Sequence, residues 1–246
     1  DKVYSLRKLT TEAYVRDPLF EVIGVAIKVN NKPTEWASGT KQQIARYLGT
    51  FDWTDSMVLA HNTMFDGAIL SWCFGICPRM YADTLCIARA LHGTEASASL
   101  KALSERYDIG VKGTEVLDAL GKRREDFTTE ELEAYGDYCI NDVELTYKLF
   151  RLMSRRFPKS EIRLINHTLK MYTDPTLGLT DKKDLMSNPK FAELLKNLGV
   201  TPPMKISPTT DKETFAFAKN DEQFKALAVH EDDKVQALVS ARLGLK

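Results

Sequence analysis

The chain has 246 residues, 43% hydrophobic and 28% charged, the composition of an ordinary globular chain with material for one large domain or one domain and an appendage. Its 34 Lys and Arg balance 34 Asp and Glu to a formal net charge of zero, so charge announces no general affinity for nucleic acid and leaves room only for a localised basic face. No apolar stretch approaches the ~18 residues needed to span a bilayer, the opening residues DKVYSLRKLT lead into no apolar segment of the signal-peptide kind, and the four cysteines (Cys73, Cys77, Cys86, Cys139) complete no zinc pattern and read as reduced thiols of a cytoplasmic protein.

In chain order, FEVIGVAIKVNNKPTEWASG reads as a β-hairpin: Phe20 to Val29 is rich in β-branched residues, NNKP is a turn, and Glu35 to Ser38 returns. KQQIARYLG is a short helix closed by Gly49, SMVLAHN a short buried strand, and TMFDGAILSWCFG a helix ending at Gly75. PRMYADT is another short strand, followed by helices in LCIARALHG and SLKALSERYDIG, ending at Gly93 and Gly110. A hairpin followed by strands alternating with helices predicts an α/β fold with a mixed sheet. The texture changes after Pro158. EIRLINHTLKMYTD, KDLMSNPKFAELLKNLG and DEQFKALAVHEDDKVQALVSARLG look helical and VTPPMKISPTTDKET irregular, so 158–246 reads as an all-helical appendage with a Pro-rich connection.

Between these parts lies the longest predicted helix, Thr129 to Met153. Thr128 and Glu131 fit the S/T-x-x-E capping box, and Leu132, Tyr135, Cys139, Val143, Thr146, Phe150 and Met153 recur at steps of three and four. Asp137, Asn141, Glu144 and Lys148 fall on the opposite, solvated side. Asp142 does not join them: at about 100° per residue it lies roughly 60° from the centre of the apolar stripe, beside Leu149 and one turn after Tyr138. A carboxylate facing a core needs a metal cation, an Arg or Lys, or backbone donors to replace its lost water.

A second carboxylate, Asp66, sits in the first turn of the helix that follows MVLAH, where α/β sheets gather their ligands. Thr63 and Asp66 also fit a T-x-x-D capping pair, and Asn62 a turn or cap. If Asp66 and Asp142 converge with Tyr138 beside them, carboxylates without Cys or His suit Mg²⁺ or Mn²⁺, ions that commonly serve phosphodiester chemistry.

Three short motifs then stand in order. HNTMFD resembles the second motif, N-x-x-[FY]-D, of the DEDD-type 3′→5′ exonucleases, YCIND within GDYCIND resembles their third, Y-x-x-x-D, in the tyrosine variety, and YADTL between them carries an aspartate that is structural in that family. The likeness covers about residues 20 to 150. SLRKLTTEAYVRDPLFEVIGV resembles the start of the phage-type family A DNA polymerases, and TLKMYTDPTLGL and PPMKISPTTDKETFAFAKNDEQFKAL resemble the region that follows their proofreading exonuclease domain.

That resemblance implies an RNase H-like fold, an exonuclease domain over 1–157 and the helical start of a polymerase region over 158–246. It implies two-metal hydrolysis of the 3′-terminal phosphodiester of DNA, releasing 5′-mononucleotides, in a bacterial host's cytoplasm if the parent is a phage. Asp66 and Asp142 would hold the Mg²⁺ or Mn²⁺ ions, and Tyr138 would orient the attacking water. His61, Asn62 and Phe65 would meet the terminal nucleotide of a single-stranded or frayed primer end, with Phe65 stacking. Arg151, Arg155, Arg156, Lys159 and Arg163 form a basic run that could track phosphates or simply be a solvated helix end. The chain departs from the family at its first motif, D-x-E, which supplies two more acidic ligands from an opening central strand. Asp1-Lys2-Val3 does not fit it, so the motif is expected just upstream of Asp1. Two alternatives stay open: an exoribonuclease resembling RNase D, and a degenerate exonuclease fold that binds DNA or a partner without cutting.

Overall fold

The computed structural model of the chain describes residues 4–6, 8–93, 95–113, 121–174, 185–207 and 211–244. Helix α1 (Thr11–Val15) is followed by β1 (Gly24–Ile27) and β2 (Glu35–Ser38), an antiparallel hairpin with Val25 opposite Ala37. Next come α2 (Lys41–Leu48), β3 (Met57–Ala60), α3 (Thr63–Ala68, continuing as a π-helical turn, Ile69–Cys73), β4 (Met80–Asp83) and α4 (Thr84–His92). Strands β3 and β4 run parallel, with Leu59 opposite Ala82, so both deliver their carboxyl ends to the same side. Helices α5 (Leu100–Tyr107), α6 (Thr129–Met153) and α7 (Lys159–Thr173) follow. The remainder holds α8 (Asn188–Asn197), a second antiparallel hairpin of β5 (Met204–Ile206) and β6 (Glu213–Phe215), α9 (Glu222–Ala226) and α10 (Asp233–Gly244).

Two sequence expectations are corrected. The strands of the first half do not make one mixed sheet among the described residues: β1–β2 and β3–β4 are separate two-stranded ladders. Residues of both β1 and β3 line a cavity of about 1500 Å³, and no ladder bonds join the two pairs among the described residues. Nor is the appendage all-helical. Met204–Ile206 pairs with Glu213–Phe215, and these strands are only three residues each, too short to show an alternating pattern. The first part of the helix expected around KDLMSNPKFAELLKNLG lies outside the described residues, as do Asp1, Lys2 and Val3.

Helix α6 begins as the capping box requires, with Thr128 Oγ1 accepting from the Glu131 N–H and Glu131 accepting from the Thr128 N–H. Its packing is broader than one stripe. Leu145, Leu149 and Met153 are buried with Ile87, Leu100 and Leu103 from α4 and α5. On another side Trp36 of β2 lies against Gly136, where a Cβ would come within 2.6 Å of the indole. The residues assigned to the solvated side are partly engaged: Glu144 takes the Lys28 ammonium at 2.7 Å, Asn141 Nδ2 donates to the Val111 carbonyl, and Lys148 donates to the Ile109 carbonyl.

Two apolar clusters result, one around α4, α5 and α6, the other built from α8, β6, α9 and α10. Helix α7 belongs to both. Ile162 and Ile165 pack on the first cluster and Met171 is buried in the second. It is fastened to the strands by polar contacts: Asn166 Oδ1 accepts from the Tyr81 N–H at 2.8 Å, and Ser71 Oγ, in the π turn, donates to the Thr173 carbonyl at 2.6 Å.

Candidate active site

The carboxyl ends of the parallel pair set the site. At the end of β3 the chain turns through His61 and Asn62 into α3. Asn62 takes the left-handed conformation (φ 75°), which Asn tolerates better than most residues, and stands at the helix N-cap with no side-chain cap bond. At the end of β4, Asp83 is buried. Its Oδ1 accepts from the Leu85 and Cys86 N–H groups at the start of α4 and from the Asn62 N–H. Asp83 therefore locks the two turns together, the structural part that the resemblance gave it.

Thr63 and Asp66 do not form the capping pair that their spacing suggested. Thr63 is already inside the helix, and its hydroxyl is held by the Ala60 and Ala82 carbonyls. The Asp66 carboxylate is left with a different environment. It is exposed, and the surface it exposes lines the cavity. The surrounding protein pushes its carboxyl up to about 6, with the Asp83 carboxylate adding in the same direction.

Asp142 also lines the cavity. Its Oδ2 pairs with the Lys112 ammonium, and its Oδ1 is buried without a hydrogen-bond partner among the described residues. Lys112 also donates to the Tyr138 hydroxyl at 2.6 Å, with its ammonium 4.5 Å from the centre of the Tyr138 ring. Burial lowers the basicity of Lys112, but the bonds to Asp142 and Tyr138 outweigh it and the net direction is upward. The Tyr138 phenol is raised by burial, against the opposing pull of Lys112. Cys139 lies in the field of both carboxylates: burial pushes its thiol up to about 12, with Asp142 and Asp66 contributing.

His61 sits on the same wall, its Nδ1 2.9 Å from Thr84 Oγ1, and burial holds its imidazole below the usual value. Phe65 is turned toward the N-terminal segment, its ring centre 6.3 Å from that of Tyr14. The basic run is exposed around the α6–α7 corner; Arg155 lies thirteen residues beyond Asp142, roughly 20 Å along the helix direction.

Asp66, Asp142 and His61 thus line one cavity, with Tyr138 joined to Asp142 through Lys112. Sequence reasoning missed Lys112. It stands thirty residues before Asp142 and reaches it only because Asn141 and Lys148 moor residues 109–111 to α6. A lysine flanked by Gly110 and Gly113 was the one local sign.

As a place for divalent ions the residues fit as half of a ligand set. Asp142 Oδ1 is a buried acceptor awaiting a donor or cation, and Asp66 is a hard oxygen donor with no cation against it among the described residues. Among those residues no three His, Cys, Asp or Glu side chains are close enough to hold an ion by themselves. No described helix is long and apolar enough to cross a membrane.

Comparison with known proteins agrees with this geometry. No curated protein and no solved structure matches the chain. Residues 35–157, half of the chain, match the model of the 3′–5′ exonuclease family of the DNA polymerase A type, a span that contains Asp66, Asp83, Lys112, Tyr138 and Asp142. By that match the chain belongs to the 3′–5′ exonucleases of the family A DNA polymerases.

Proposed function

We propose that this chain carries the proofreading exonuclease of a family A DNA polymerase and removes the 3′-terminal nucleotide of DNA as a 5′-mononucleotide, within an RNase H-like fold spanning roughly 1–157. The observation that carries the proposal is that Asp66, in the helix that follows β3, and Asp142 line one cavity. In this reading the two carboxylates hold Mg²⁺ or Mn²⁺, which when bound supplies charge stabilisation and an activated water for phosphodiester hydrolysis. In the family that the chain resembles, the remaining acidic ligands come from a D-x-E strand. The space between β1 and β3, walled by strand residues on both sides, is the place that would receive it.

The chain's own groups have separate tasks. Tyr138 presents its hydroxyl beside Asp142, where it orients the attacking water. His61 and Asn62, at the strand end, approach the terminal nucleotide, and Phe65 adds an aromatic face beyond them. Residues 158–246 form the start of the polymerase region, with the basic α6–α7 corner following the phosphates of the strand.

A second reading is favoured by one observation: Lys112 already neutralises Asp142, as in an exonuclease fold that binds nucleic acid without cutting it. One assay separates the two. Single-stranded DNA labelled at its 5′ end is incubated with Mg²⁺ or Mn²⁺ and with either the chain alone or the chain extended upstream through a D-x-E strand. Asp66→Ala and Asp142→Ala are run beside each. Progressive shortening from the 3′ end, lost in both variants, establishes the exonuclease. DNA retained by the extended chain but never shortened establishes the binding module.

A further inference from the structure

We propose that Lys112 is a resident cation of the exonuclease site, seated on Asp142 until a divalent ion displaces it. The inference rests on the reading of Asp66 and Asp142 as metal ligands. Its own support is the way Lys112 is held. The ammonium bonds Asp142 Oδ2 and the Tyr138 hydroxyl together and stands 4.5 Å from the centre of the Tyr138 ring. The main chain before it is tied to α6 at two points, Asn141 to Val111 and Lys148 to Ile109. Those ties come from the same helix that carries Tyr138 and Asp142, so the lysine is delivered to the carboxylate by the carboxylate's own neighbours.

Chemistry makes this arrangement a competition. A carboxylate oxygen bonded to an ammonium is not free for a divalent ion, and a positive charge within hydrogen-bond distance opposes the arrival of another. Asp142 Oδ1 is buried and makes no hydrogen bond among the described residues, so this second oxygen is free to join Oδ2 on an ion that takes the place of the ammonium. Once displaced, the ammonium keeps the Tyr138 hydroxyl within reach as an alternative partner. The metal-free site thus keeps Asp142 in place and its charge balanced.

The test is Mn²⁺ affinity, measured by electron paramagnetic resonance on the chain, on Lys112→Met and on each combined with Asp142→Ala. Lys112→Met should bind Mn²⁺ about tenfold more tightly than the parent, and Asp142→Ala should abolish that binding in both backgrounds. Equal or weaker affinity in Lys112→Met, with binding in the parent still dependent on Asp142, overturns the role of Lys112 and leaves the metal reading standing. No Asp142-dependent binding in either background removes both. A second measurement needs no substitution. Reductive methylation of Lys112, followed by mass spectrometry, should accelerate when Mg²⁺ is added to the unaltered chain, and an unchanged rate overturns the displacement.

Discussion

Asp66 is a carboxylate that the fold surrounds without giving it a cation among the described residues, and this fixes how it should respond to pH. Its folded value near 6 lies above the ordinary 3.8. Between those values the folded chain binds more protons than the unfolded one, so stability falls as pH rises from about 4 to about 6 and stays lower above that. Asp66→Asn keeps the shape and cannot ionise. It should therefore match the parent near pH 4 and exceed it at pH 7.5 in EDTA. Because water reaches the group through the cavity, the gain is expected at about 1 kcal/mol rather than the full worth of the shift, or a few degrees in Tm. Melting curves at the two pH values check this, and a gap of equal size at both would assign the effect to packing. Saturating Mn²⁺ should reverse the order at pH 7.5, because the ion stabilises the charged parent and finds one donor fewer in the variant.

At the scale of elements, α6 is placed by an aromatic residue meeting two glycines. Trp36 of β2 covers both Gly24 of β1 and Gly136 of α6, and a Cβ on either would fall within 2.6 Å of the indole. Gly136→Ala ought to stabilise an isolated helix by about 1 kcal/mol. In this fold the rigid indole cannot step aside, so the substitution should instead destabilise by about 1–3 kcal/mol. Urea unfolding followed by tryptophan fluorescence measures this, and a more stable variant would show that the hairpin can shift on α6. The same helix shows what sequence reveals. Its ends were readable because Thr128, Glu131 and the apolar period are local signals, and Tyr138 and Asp142 were readable because one turn separates them. Asp83 as a structural residue was readable only through the YADTL likeness. Residues joined across long stretches were not readable: Gly136 with Trp36, and Lys112 with Asp142. The β5–β6 hairpin was missed for want of length, and the Thr63 cap was misread because Thr63 satisfies its hydroxyl on strand carbonyls instead.

At the scale of the whole molecule, α7 decides whether the two apolar clusters unfold together. It gives Ile162 and Ile165 to the cluster around α6 and Met171 to the cluster around α8 and α10. Its attachment to the strands and the turn after α3 depends on a few buried polar bonds, and Asn166 makes one of them. Asn166 is 7% exposed and accepts from the Tyr81 N–H on β4. Asn166→Ala leaves that N–H buried without an acceptor, a cost of about 1–3 kcal/mol. Beyond the loss of stability, it weakens the joint between the clusters. Probes for each side are available: Trp36, Trp53 and Trp72 all precede α7, whereas far-ultraviolet circular dichroism reports helices on both sides of it. In the parent chain the two signals should unfold with one midpoint in urea, because α7 cannot leave one cluster without disturbing the other. In Asn166→Ala the midpoints should separate, with the fluorescence and dichroism curves no longer superimposable. Coincident curves in the variant, shifted together, would mean that apolar packing of Ile162, Ile165 and Met171 alone couples the halves.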